Sequence, residues 1–246
     1  MAFVTNVCDG DVMDNIEVID QSFEIESEID ADKIYSKLER AARTCYQSYG
    51  KKGCSSDGSD CDESSCESHS AQKLLEKIIR LGHDAMLEHE DITVRFITNR
   101  GVSHELVRHR MASYAQESTR YVKYKDKIQI IRPCWFRATC EELNDDNPTQ
   151  LWVDEMQWLN LMSQIGYVYN ELCNTCGYSP QKARGVLPND MKTEIVMTAN
   201  IREWRHVFKL RCASAAHPQI RELMSPLCKT LQLNLPLLFK DIQIDS

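Results

Sequence analysis

An α+β fold, with a mainly antiparallel sheet packed against long helices in a single domain, is what this amino-acid sequence predicts. Two observations lead there. Apolar residues alternate with polar ones over 91–98, the period of a half-buried strand, while Ile34, Leu38, Ala41 and Cys45 recur at helical spacing. No internal repeat is present, so neither a solenoid nor a propeller is implied. With 246 residues, 42% of them hydrophobic, the chain can bury a substantial core as one domain or two closely joined ones.

The first helix is predicted over 31–49. Residues 50–70, GKKGCSSDGSDCDESSCESHS, offer almost nothing to bury and read as a solvated insertion. Ser70 then suits the cap of a helix whose stripe is Leu74, Leu75, Ile78 and Ile79, ending near Gly82. Ile92, Val94 and Phe96 alternate in the strand over 91–98. Ser103 can cap a helix carrying Leu106, Val107, Arg110 and Met111. A second strand is expected over 127–131, stopped by Pro133, and a long helix over 149–175. A third strand follows over 191–199, with Asn200 placed to cap a helix running to about Arg211. Pro218 suits the first turn of a final helix bearing Ile220, Leu223, Leu227 and Leu231.

Charge narrows the function. The formal net charge is −8, which opposes general nucleic-acid binding, but its distribution is uneven. Residues 1–94 carry 21 acidic and 9 basic side chains, whereas residues 95–137 carry 10 basic against 3 acidic and residues 182–211 carry 7 against 3. Two basic blocks in an acidic protein suggest a focused site for a phosphorylated small molecule rather than a basic coat. A nucleic-acid module built on the 95–137 block is the rival from another class; it predicts affinity that falls steeply with salt.

No apolar run reaches the roughly 18 residues of a membrane span, and MAFVTNVCDGDVMDN resembles no secretory signal. A cytoplasmic setting is therefore expected, and the 11 cysteines are expected to be reduced thiols. Cys173 and Cys176 have redox or zinc spacing but sit at a helix end with no second pair, so they read as partly buried thiols. Cys54, Cys61, Cys66 and His69 could in principle hold a metal, but their irregular spacing in a serine- and aspartate-rich stretch reads rather as a mobile loop; no metal is expected, and a metal-binding interaction segment is the rival reading.

The segment Arg108-His109-Arg110-Met-Ala-Ser-Tyr-Ala-Gln116-Glu117-Ser118-Thr119-Arg120-Tyr121 carries the most chemistry. On a helix Arg108 and Arg110 would diverge by about 200°, so at least one guanidinium would lie at a cleft wall or subunit boundary. There its planar fork would hold phosphate or carboxylate oxygens. The hydroxyls, amide and cation that follow suit a phosphate and a heterocycle with amide-like edges.

This segment resembles the mark of the flavin-dependent thymidylate synthase family: Arg-His-Arg, seven residues, then serine. Three other elements agree in order. His83-Asp-Ala-Met-Leu-Glu88-His89 resembles the family's histidine segment before a strand, Ala183-Arg184-Gly-Val-Leu-Pro188 its Ala-Arg-x-x-Leu-Pro element, and Asn200-Ile201-Arg202 with His206, Leu210 and Arg211 its later flavin and nucleotide segment.

The resemblance implies FAD, at subunit interfaces of a homotetramer, contacted by Ala85, Arg108, His109, Arg110, Gln116, Asn200, Ile201, Arg202 and His206. It implies deoxyuridine monophosphate (dUMP) held by Glu105, Leu106, Val107, Arg108, Gln116, Glu117, Ser118, Thr119, Arg120, Arg184 and Arg211. Arg211 would be catalytic, stabilising negative charge on the uracil ring as carbon 5 becomes nucleophilic. It would not act as a base, since a guanidinium keeps its proton. The implied reaction is methylation of dUMP to thymidylate, with methylenetetrahydrofolate as carbon donor and NADPH as reductant. A nucleotide-binding flavoprotein of the same fold without methylation is the alternative.

Several departures from the family pattern stand out: Ala85 where a hydroxyl is common, Glu105 where some relatives carry glutamine, Gln116 where others carry glutamate, and the 50–70 insertion. Ser118 has no base fixed near it by spacing and is read as binding rather than nucleophilic. Pro133-Cys134-Trp135 lacks the histidine of the folate-only enzymes' Pro-Cys-His, so a cysteine nucleophile is rejected. His89 and His217 are read as structural.

Overall fold

The alternation of Ile92, Val94 and Phe96 becomes the strand Asp91–Asn99 in the computed structural model of the chain, which describes residues 15–46, 63–124, 127–145 and 151–245. All three side chains are fully buried. The described strands are β1 (Ile16–Ile19), β2 (Ser22–Ile25), β3 (Asp91–Asn99), β4 (Ala112–Gln116), β5 (Ile128–Ile131) and β6 (Lys192–Asn200). The helices are α1 (Ala31–Tyr46), α2 (Glu63–Leu81), α3 (Arg100–Leu106), α4 (Cys140–Leu143), α5 (Val153–Asn170), α6 (Pro180–Ala183), α7 (Ile201–Arg211), α8 (Pro218–Asn234) and α9 (Pro236–Phe239).

A four-stranded antiparallel sheet has the order β2-β3-β6-β4. Gln21 meets Thr98 and Glu26 meets Thr93, so numbers rise on one strand as they fall on the other. β1 and β5 pair in parallel, Ile16 opposite Ile128 and Val18 opposite Ile130. The expected α+β class, with a mainly antiparallel sheet and long helices, is what forms.

The chain divides into two compact units, one of residues 1–22, 96–108 and 115–195, the other of residues 23–95, 109–114 and 196–246. In the first, Ile16, Val18, Ile128 and Ile130 pack with Leu143, Leu159, Met162 and Tyr169 into a buried cluster. The Asn144 side chain extends the hydrogen bonding of β1, accepting from the Val18 N–H and donating to its carbonyl, both at 2.8 Å. Gly166 of α5 is required by contact: a Cβ there would come within 2.8 Å of the Asn15 carbonyl oxygen and 3.0 Å of Ile16. Buried Glu155 accepts from the backbone N–H groups of Arg137 (2.7 Å), Ala138 (3.2 Å) and Trp152 (3.0 Å).

In the second unit α1 buries Ile34, Leu38 and Ala42, and α2 buries Ala71, Leu75 and Ile78. The Trp204 indole of α7 donates to the Ile92 carbonyl at 2.9 Å and stacks on Phe208, whose ring meets Phe239 edge-on. Buried Arg205 grips Asp241 through both terminal nitrogens, at 2.7 and 2.6 Å, and also donates to the Leu238 carbonyl. That clamp ties α7 to the chain end.

The structure corrects several expectations. Arg108–Met111 is not helical: α3 ends at Leu106 and the segment is a turn leading into β4. Asn99, not Ser103, caps α3, accepting from the Val102 N–H at 2.7 Å, and Ser103 is buried inside the helix. α2 starts at Glu63, so Ser70 is an interior residue rather than a cap. The rest of the expected insertion, 50–62, lies outside the described residues. α5 begins at Val153 and ends in a π-helical turn, Glu171–Thr175, and α8 is followed by α9. In α1, Ala42 is buried, Ala41 half-buried and Cys45 exposed, because past Leu38 the inward stripe runs one residue later than Ala41 and Cys45 require. Of the pair read as partly buried, Cys173 is buried and Cys176 exposed. Strands β1, β2 and β4 were not foreseen; the first two are only four residues long, too short to show a period.

Candidate active site

Motif elements far apart in sequence converge within the second unit. Asn200 caps α7 as its type suggested, its side chain accepting from the Glu203 N–H at 2.9 Å. The helix carries Arg202, Glu203, His206 and Arg211. Arg211 Nε donates to Nε2 of His109 at 3.0 Å, joining residues 102 apart. The His109 ring is buried, meets the His206 ring edge-on at 5.9 Å, and turns Nδ1 towards Glu203 Oε1 at 3.6 Å. Tyr114 of β4 pins the same residue through its backbone, donating its hydroxyl to the His109 carbonyl at 2.9 Å.

Electrostatics follow from that packing. Burial, together with the nearby Arg211 and His206, holds the His109 pKa down to about 4, so the imidazole is neutral at physiological pH. Burial, with the Glu203 carboxylate adding to it, pushes the Tyr114 hydroxyl up, and it stays a donor. Arg202 and Glu88 form an exposed ion pair. Ala85 and Arg110 are exposed; Ile201 is buried, so its side chain cannot face a ligand and only its backbone could.

The first unit holds most of the residues expected at the nucleotide. The Gln116 amide donates to the hydroxyls of Ser103 (2.9 Å) and Thr193 (3.2 Å). Arg100 donates to the Glu117 carbonyl at 2.9 Å. The Glu117 carboxylate accepts from Tyr124 at 2.6 Å and pairs with Lys192 at 3.3 Å, while Lys192 also pairs with Glu194 at 2.7 Å. Burial and that hydrogen bond to Glu117 raise the Tyr124 pKa. The 118–121 turn closes when the Tyr121 N–H reaches the Ser118 carbonyl at 3.1 Å, and Ser118 Oγ accepts from the Arg120 N–H at 3.3 Å. Arg120 itself donates to Gln181 at 3.2 Å. Thr119 and Glu105 are half-buried, Leu106 is fully buried and Val107 exposed. Arg184 sits exposed in a 3-10 turn after α6. Among the described residues, the guanidinium groups of Arg108, Arg110 and Arg184 have no carboxylate partner.

Sequence reasoning missed Glu203, Tyr114, Arg100, Ser103 and Lys192. Glu203 looks from sequence like an ordinary first-turn acid of a capped helix, and spacing gives no sign of the histidine it faces. His217 is structural as expected, its Nδ1 accepting from the Gln219 N–H at 3.3 Å at the start of α8.

The family model described as thymidylate synthase complementing protein matches residues 29–237. A flavin-dependent thymidylate synthase of Geobacter sulfurreducens is 34% identical over 203 residues, 82% of this chain and 78% of its own. One from Corynebacterium aurimucosum is 30% identical over 224 residues, 85% of this chain and 80% of its own. Thymidylate Synthase X from Helicobacter pylori, solved with FAD and dUMP, superposes with a TM-score of 0.65 at 20% identity, covering 90% of this chain and 98% of that one. The UMP/dUMP methylase PolB of Streptomyces cacaoi, bound with 5-Br UMP, gives 0.65 at 18% identity over 92% and 95%. At such identities the solved structures speak for the fold, while the family match and the curated relatives speak for descent. This chain therefore belongs to the flavin-dependent thymidylate synthase family.

Proposed function

We propose that the protein methylates dUMP to thymidylate with bound FAD, taking the methylene of methylenetetrahydrofolate and reducing equivalents from NADPH, and releasing tetrahydrofolate. The observation that carries this reading is the hydrogen bond between His109, from the Arg-His-Arg segment, and Arg211, at the end of α7. Two elements singled out on separate grounds thus form one structural unit.

The residues present fit a flavin. A pyrophosphate needs cations that are not already neutralised, and the exposed Arg110 guanidinium has no carboxylate partner among the described residues. Arg202 is paired with Glu88 on the surface, an exchange for phosphate that costs little because exposed pairs contribute about 0–1 kcal/mol. His109, His206, Asn200 and Ile201 would complete the flavin contacts, with Ala85 restricted to its backbone and Arg108 and Gln116 added by family resemblance. When bound, FAD would supply the redox chemistry by which reducing equivalents of NADPH reach the new methyl group.

The nucleotide roles go to Glu105, Leu106, Val107, Arg108, Gln116, Glu117, Ser118, Thr119, Arg120 and Arg184. Ser118, Arg120 and Arg184 offer donors for phosphate or sugar oxygens. Gln116 and Glu117, held by hydroxyls, Tyr124 and Lys192, keep that loop in shape. Arg211 stabilises negative charge on the uracil ring; its positive charge is permanent and its Nε is anchored, so it need not reorganise as that charge develops. We infer on the same grounds a homotetramer with flavin at subunit interfaces, working in the cytoplasm. No helix among the described residues is long and apolar enough to cross a membrane.

The test is the absorbance spectrum of the purified protein, followed by anaerobic addition of NADPH and dUMP. Oxidised-flavin bands that bleach, at a rate altered by the nucleotide, and thymidylate formed once methylenetetrahydrofolate is supplied are the expected results. A colourless protein that added FAD does not reconstitute would overturn the reading.

A further inference from the structure

Glu203 is 9% exposed and carries a carboxylate on the first turn of α7. A buried carboxylate is costly without a partner. An acid in this position ordinarily turns back to its own helix terminus. Here that terminus is served by Asn200, and the Glu203 carboxylate faces His109 Nδ1 at 3.6 Å.

The other edge of the same ring settles where its proton sits. Arg211 Nε always bears hydrogen and donates to Nε2 at 3.0 Å, so Nε2 is the bare nitrogen. The one proton of the neutral ring is then on Nδ1, the nitrogen turned to Glu203. The remaining titratable groups around the ring are His206, edge-on from α7, and Tyr114, whose hydroxyl binds the His109 carbonyl. Neither offers an acceptor to Nδ1 among the described contacts.

We propose that Glu203 is a positioning residue for the methylation reaction: its carboxylate holds His109 as the Nδ1–H tautomer, whose Nε2 lone pair fixes the guanidinium of Arg211. The proposal rests on the assignment of Arg211 to the uracil ring. The opposite tautomer would set N–H against N–H at the His109–Arg211 contact and turn the guanidinium away. An uncharged amide at 203 has the same shape but donates to Nδ1 as readily as it accepts, so it no longer selects the tautomer.

Two measurements on the FAD-loaded protein test this. The first is nitrogen NMR of 15N-histidine-labelled wild type and Glu203→Gln, with a His109→Asn sample to identify the signal. Wild type is expected to show His109 protonated on Nδ1, and the variant a mixture of tautomers. The second is steady-state kinetics: Glu203→Gln should lower kcat about tenfold, the lower end for a residue that orients a catalytic group, and leave KM for dUMP within about threefold. Flavin content and the thermal midpoint should be unchanged. Wild-type His109 protonated on Nε2 would overturn the proposal. So would a variant with wild-type tautomer and kcat, or one that loses thermal stability without a selective fall in kcat. If wild type makes no thymidylate, the functional reading fails instead, and the NMR result alone decides whether Glu203 sets the tautomer.

Discussion

Acidification should expose the cost of burying His109. The ring's pKa is held at about 4 by burial and by the neighbouring Arg211 and His206, against an ordinary value of about 6.5 in the unfolded chain. Between those two pH values the unfolded chain binds a proton that the folded one refuses, so stability rises with pH across this window and is lost as pH falls through it. At about 1.4 kcal/mol per unit, the window sets an upper bound of about 3.5 kcal/mol; residual solvent screening brings the expected loss to about 2 kcal/mol. The assay is chemical denaturation at constant protein concentration from pH 7.5 to 4.5, comparing wild type with His109→Asn. Carboxylates titrate in both proteins and cancel in the difference. The variant starts less stable, because Arg211 loses its acceptor, but its stability should fall less steeply, and the two curves should converge by about 2 kcal/mol. Parallel curves would refute the buried neutral imidazole, and with it the argument for a fixed tautomer.

Three further outcomes follow from the geometry. Arg211→Ala should keep the flavin absorbance and lower thymidylate formation by a factor on the order of 10²–10³, the effect of removing one oriented charge-stabilising donor; retained turnover would move catalysis elsewhere. Gly166→Ala forces a Cβ to within 2.8 Å of the Asn15 carbonyl, and calorimetry should show a loss of about 1–3 kcal/mol, whereas an unchanged midpoint would mean that α5 and β1 can separate freely. Glu155→Ala removes the acceptor of the Arg137, Ala138 and Trp152 N–H groups, of which only the Ala138 bond is buried, and at about 1–3 kcal/mol for an unsatisfied buried donor the expected loss by urea denaturation is about 2–3 kcal/mol. Glu155→Gln, which keeps an acceptor, should lose less.

The elements that could be read from sequence are those in which one local rule decides. Ile92, Val94 and Phe96 make a strand because both neighbours of β3 in the sheet leave alternate side chains buried, and Asn200 caps α7 because asparagine accepts from the N–H three residues on. β1 is four residues long and pairs with β5 across more than a hundred residues, so its existence depends on a partner that no local window contains. Ser103 illustrates the opposite failure. It satisfies the cap rule, yet Asn99, a better-placed acceptor at the end of β3, takes the role. Ser103 is drawn into the interior as the acceptor for Gln116. The candidate site was legible as a list of residue types in order, but not as a set of contacts: His109 and Arg211 were assigned to different ligands, and only folding brings them together.

The misassigned helix at Arg108–Met111 matters for the chemistry. On a helix, successive residues are about 100° apart, so burying His109 would have left its two arginine neighbours on opposite flanks, unable to face the same side. The turn removes that constraint. Arg108 and Arg110 are both exposed and without carboxylate partners among the described residues, while the imidazole between them is buried. A buried arginine would have needed an internal acid, as Arg205 needs Asp241, and would then have been neutralised before any ligand arrived. By breaking the helix at Leu106, the chain leaves Arg108 and Arg110 exposed and commits only the neutral ring between them to the interior. There its single lone pair accepts from Arg211 in a part-buried hydrogen bond, stronger than the same bond in water would be.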